Sequence, residues 1–76
     1  MIKLPVFGIK IVLQDGGGYI TDELNDPNNS PELQAAYNGI TSFILASACA
    51  GIDVLNPAFL EAIETSIQSV EQQYDI

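Results

Sequence analysis

The chain has 76 residues, with ten acids against two basic residues, Lys3 and Lys10, and a net charge of −8. One cysteine and no histidine exclude an internal disulfide and a zinc site of Cys and His type. No Lys or Arg follows Lys10, so the cationic stripe that direct binding to nucleic-acid phosphates or to an anionic membrane surface requires is missing.

The length fits a single domain over residues 1–76 with a small core, and small unstapled cores gain burial by self-association. The start, "MIKLPVFGIKIVLQ", carries an early Lys and apolar residues in the manner of a signal peptide. Lys10 interrupts the apolar run, however, and no small-x-small cleavage site follows. Alternation fits a strand better, and one unpaired cysteine fits a reducing compartment, so the expected location is cytoplasmic.

Residues 6–24, "VFGIKIVLQDGGGYITDEL", predict a β-hairpin, with Phe7, Ile9, Ile11 and Leu13 on one face and Val6, Lys10 and Val12 on the other. A turn at Asp15-Gly16 sets Ile11 opposite Ile20 and Phe7 opposite Leu24, because glycine accepts the positive φ of a type I′ turn. A turn at Gly16-Gly17 instead sets Lys10 opposite Glu23. The glycines at 16, 17 and 18 leave both registers open. Pro5 lacks a ladder donor and marks an edge. Asp22 falls among the inward residues Ile20 and Leu24, and the sequence alone assigns it no role.

Residues 25–31, "NDPNNSP", form a loop, and Ser30-Pro31-Glu32 opens a first helix reaching about Ala50. Gly51 suits the left-handed position after it. Asn56-Pro57 opens a second helix, with Leu55 placed to staple onto Leu60. Its apolar stripe is Phe59, Ile63, Ile67, Val70 and Tyr74, and Glu61, Glu64, Gln68, Glu71 and Gln72 take the other side.

The first helix carries two uncharged faces. At about 100° per residue, Leu33, Ala36, Tyr37, Ile40, Ile44 and Ala48 form a stripe of larger residues. Ala35, Gly39, Ser42, Ala46, Cys49 and Ala50 gather on nearly the opposite side. A solvent face normally carries Lys, Glu or Arg, and this one carries none. Small residues at helical spacing let another backbone approach closely, so the second face is expected to be packed, and a second copy of the chain is the expected occupant, with this helix or an exposed strand edge at the interface.

The remaining chemistry-bearing features read as structural. Cys49 has no histidine or arginine to activate it, which points to a packed, inert thiol rather than a nucleophile. Leu33 to Ile52 lacks charge but holds Gln34, Asn38, Thr41, Ser42 and Ser47, with no flanking Lys or Arg, so a buried helix is expected and no membrane span. "DGGGY" lacks the lysine and the following helix of a phosphate loop. Asp26, Asn28, Ser30 and Glu32 alternate like the start of a calcium loop, but Pro31 stands where glycine is needed and Tyr37 where a glutamate is needed. Glu61 and Glu64 share a solvated face rather than forming an acid–base pair.

The stretch "YNGITSFILASACAGIDVLNPAFLEAIET", preceded by "GIKIVLQDGGGYITDEL", resembles a group of short uncharacterised bacterial proteins. The resemblance implies a glycine-turn hairpin followed by an "ACAGID"-type helix junction, and implies no activity or site. The expected fold is α+β: an N-terminal hairpin followed by two antiparallel helices (ββαα), completed by dimerisation. The expected role is a small acidic protein-interaction module, homodimeric and non-catalytic, with no cofactor or metal and with room for a further protein partner. The alternatives are an acidic mimic of nucleic acid that inhibits a DNA-binding or phage-defence protein, and a small-ligand binder with a pocket between hairpin and helices.

Overall fold

Ser30 and Asn56 start the two helices as the sequence dictates. In the computed structural model, which describes residues 1–74, α1 spans Pro31–Cys49 and α2 spans Pro57–Gln73. The Ser30 hydroxyl accepts from the Leu33 N–H at 3.2 Å, and the Asn56 side chain accepts from the Ala58 N–H at 2.8 Å. Each cap satisfies an orphan donor and is worth about 1 kcal/mol. At the end of α1 the Ile52 N–H reaches the Ser47 carbonyl and the Gly51 N–H reaches the Ala48 carbonyl, with Gly51 at φ +84°. That is the double closure expected of a glycine at this position.

The N-terminal half differs from the predicted hairpin by one strand. β1 (Ile2–Lys3), β2 (Lys10–Gln14) and β3 (Gly17–Thr21) form an antiparallel sheet in the order β1-β2-β3. Residues 6–9, expected to begin a strand, instead form the turn joining β1 to β2. The Ile9 N–H donates to the Val6 carbonyl at 3.1 Å, with Phe7 at φ +51° and Gly8 at φ +62°. Pro5 leaves the first strand and Gly8 accepts the left-handed backbone, so the chain reverses over residues 6–9 and β2 begins only at Lys10. Phe7 therefore does not face Leu24.

Of the two registers left open, the Asp15-Gly16 turn is the one formed, but not as the expected type I′, since Gly16 lies at φ +87° and Asp15 does not take a positive φ. Ile11 pairs with Ile20, Val12 with Tyr19, Leu13 with Gly18, and Lys10 with Thr21 rather than Glu23. Gly18 lies at φ +137°, and a Cβ built there would collide with the Val12 carbonyl oxygen. The formed register therefore needs glycine at that point.

α1 lies against β2, β3 and α2, so it is the hub of the fold. Ile9, Ile11, Ile44 and Ile67 are fully buried between these elements, each contributing about 1.5–3 kcal/mol relative to exposure. Leu33, Tyr37 and Ala48 of the expected α1 stripe are buried with them, while Ala36 and Ile40 are half-buried. Thr41 and Ser47 are also buried. Each hydroxyl donates to a carbonyl of its own helix, Asn38 at 3.2 Å and Phe43 at 2.8 Å, so neither is left unpaired. In α2 all five stripe residues are buried or half-buried. Leu55 stays 48% exposed while its neighbour Val54 is 2% exposed, so Val54 anchors the entry into α2 in place of the expected staple.

Replacing Ile44 by Ala is expected to cost about 2–5 kcal/mol of unfolding free energy, measured by urea denaturation. Gly18→Ala is expected to destabilise by clearly more than Gly16→Ala in urea denaturation, because both positions carry a positive φ that costs an L residue about 1 kcal/mol or more, and only at Gly18 does the new Cβ also collide with backbone.

Candidate interaction surface

All six residues of the small face of α1 (Ala35, Gly39, Ser42, Ala46, Cys49 and Ala50) are exposed in the single chain. No described residue of the chain covers them, and a Cβ built on Gly39 meets nothing within 4 Å. The face expected to be packed is thus uncovered within one chain. Cys49 shares this exposure, so the thiol is not buried as the sequence suggested. Its Sγ lies 3.6 Å from the Gly17 carbonyl oxygen, which places this end of the face beside the start of β3.

The surface extends beyond those six. Phe43 of α1 is 59% exposed and stacks on Phe59 of α2, with centroids 6.1 Å apart and planes 13° from parallel. A stacked pair of this kind adds about 0.5–1.5 kcal/mol beyond area burial. It also pins the start of α2 beside the second half of α1, as antiparallel helices require. On the helical net, Ala58, Ala62, Ser66 and Ser69 of α2 continue the α1 face across this seam, and all four are exposed. The alanines and serines at spacings of four, four and three were the legible signal for α2's share of the surface. The two helices together present a front of small residues with a stacked aromatic pair at its middle and no charge from Ala35 to Ala50, Glu32 standing at its N-terminal end.

The charged groups lie elsewhere. Lys3 and Lys10 are direct partners across β1 and β2, so both cations stand on the solvent face of the sheet. Glu61 and Glu64 are exposed on the flank of α2, but Glu71, expected beside them, is half-buried near Tyr37. Asp22 acquires a role: its Oδ1 accepts from the Leu24 and Asn25 N–H groups at 2.8 and 2.9 Å, closing the turn that leads the chain off β3. Asp26 does the same for Asn28 at 2.8 Å. The Asp26-to-Glu32 segment is thus built by local turns and the Ser30 cap. Among the described residues no three His, Cys, Asp or Glu side chains gather to hold a metal. A recess lined by Asn25, Asp26, Pro27, Gln34 and Asn38 opens widely to solvent on the loop before α1, not between sheet and helices. No described helix is long and apolar enough to cross a membrane.

No family model, curated protein or solved structure matches the chain. The resemblance to short bacterial proteins therefore adds nothing to the functional reading.

Tyr37 is the one group whose titration bears on this region. Burial raises its pKa above the ordinary 10.0, and the Glu71 carboxylate raises it further. The native state thus favours the neutral phenol. Its contribution is whole below the unfolded value and is lost as pH climbs through the folded one. Urea midpoints are expected to fall once pH passes about 10, and Tyr37→Phe is expected to flatten that alkaline decline while leaving neutral stability nearly unchanged.

Proposed function

We propose that the chain is a small, non-catalytic protein-interaction module that works as a homodimer through the small-residue front of α1 and α2. The observation that carries this reading is the coincidence of exposure and neutrality. In a chain of net charge −8, the six α1 positions and their α2 neighbours are exposed and uncharged, with Phe43 held open at their centre. Two copies of so acidic a chain repel one another, and an interface between them must be sited where the acids are not. Screening weakens that repulsion, because the Debye length falls to about 10 Å at 0.1 M salt. Small side chains cost little ordering entropy and let helix backbones come close, which suits helix-to-helix contact between copies. A further protein partner, docked on the assembled dimer, is part of the same reading, as is a cytoplasmic location.

Light scattering at micromolar concentration is expected to give twice the chain mass, with association strengthening as salt is added. Ala46→Glu is expected to yield a monomer with an unchanged helical circular-dichroism spectrum, since Ala46 touches water in the single chain. A wild-type chain that stays monomeric across this range removes the reading.

A further inference from the structure

The free edge of the sheet supplies what the helix front alone does not, namely a geometry for the second copy. β2 and β3 are joined by the two-residue Asp15-Gly16 loop, so Gln14–Gly17, Val12–Tyr19 and Lys10–Thr21 are the hydrogen-bonded pairs of the ladder. The N–H and C=O groups of Gly18 and Ile20 therefore turn outward, away from β2. Among the described residues no strand lies beyond β3, and none of the backbone hydrogen bonds made there outside helices and ladders involves Gly18 or Ile20.

The two edges of this sheet are treated differently. β1 is two residues long, bears Lys3 and is followed by Pro5, all of which discourage strand addition. β3 reads Gly-Gly-Tyr-Ile-Thr, without a charge or a proline. It is the longer and unguarded edge.

We propose that β3 pairs antiparallel with β3 of a second copy about a two-fold axis through Tyr19, extending the sheet across the dimer. This rests on the homodimeric reading above and gives it a structure. The edge is self-complementary in this register. Gly18 of one copy exchanges both hydrogen bonds with Ile20 of the other, the reverse pair does the same, and the two Tyr19 residues face each other as a non-hydrogen-bonded pair between them. Tyr19 is 51% exposed in the single chain and finds its partner there. The helices follow from the sheet. α1 lies against β3, and Cys49 of its small face sits beside Gly17, so a sheet continued past β3 brings the second α1 alongside the first. The two small-residue faces then approach one another on the same side of the sheet. Strand edge and helix face become one interface, and the paired segment Gly17–Thr21 itself contributes no charge to it.

Cysteine cross-linking tests the register. On a Cys49→Ser background, Tyr19→Cys places two thiols across the axis, at a Cα separation of about 4.5 Å, within disulfide reach. Thr21→Cys is the control, because in this register Thr21 faces Gly17 of the other copy and its own counterpart lies about 14 Å away. Both positions are exposed, so neither variant disturbs the core. Mild oxidation is expected to convert the Tyr19→Cys protein to a covalent dimer at least tenfold faster than the Thr21→Cys protein. A Cys49→Ser parent that scatters as a dimer while the two variants cross-link at equal rates overturns the strand pairing and leaves the dimer standing. A parent that scatters as a monomer overturns both.

Discussion

The structure depends on α1 being buried along one side only. This helix is the meeting point of sheet and second helix, and its buried arc from Leu33 through Tyr37 and Ile44 to Ala48 closes the core. Ile44 stands with Ile9, Ile11 and Ile67 as one of the fully buried side chains that join the three layers. With so few large residues inside, little stabilisation is held in reserve, and local devices carry a larger share than in a bigger domain. The serine and asparagine caps, the glycine closure at 51 and the two aspartate turns each fasten an end that would otherwise fray.

The same burial leaves a polarised exterior. Both lysines share the outer sheet face, the exposed glutamates of α2 lie on its flank, and the outward front of the helices is neutral. Charge is thereby kept off the surfaces through which copies of an acidic chain could meet. The strand edge obeys the same segregation, since β3 carries no ionisable group apart from the Tyr19 phenol.

Much of this was legible in the residues. Capping chemistry located both helix starts, because Ser30-Pro31 and Asn56-Pro57 satisfy local donors whatever the tertiary context. The α2 stripe followed from its spacing, which is driven by burial on one side. The register of the main hairpin was narrowed to two, because three successive glycines carry no side chain whose burial would distinguish a slip, and the structure forms the one with Ile11 opposite Ile20. β1 was missed because two residues are too few to show alternation, and the Phe7-Gly8 turn hid inside an apolar run that reads as strand. Glu71 was misplaced because a helical net cannot show how far α1 reaches over the flank of α2, where Glu71 lies half-buried near Tyr37. The small-residue face of α1 was visible as composition, but its continuation across Phe43 and Phe59 needed the angle at which the helices meet.

Pairing the two lysines on a single strand ladder has a practical corollary for handling the molecule. Amine-reactive biotin esters, dyes or activated sensor matrices find lysine side chains only at positions 3 and 10. Every molecule tethered through a lysine hangs by its outer sheet, with the helices pointing into solution and open to whatever flows past.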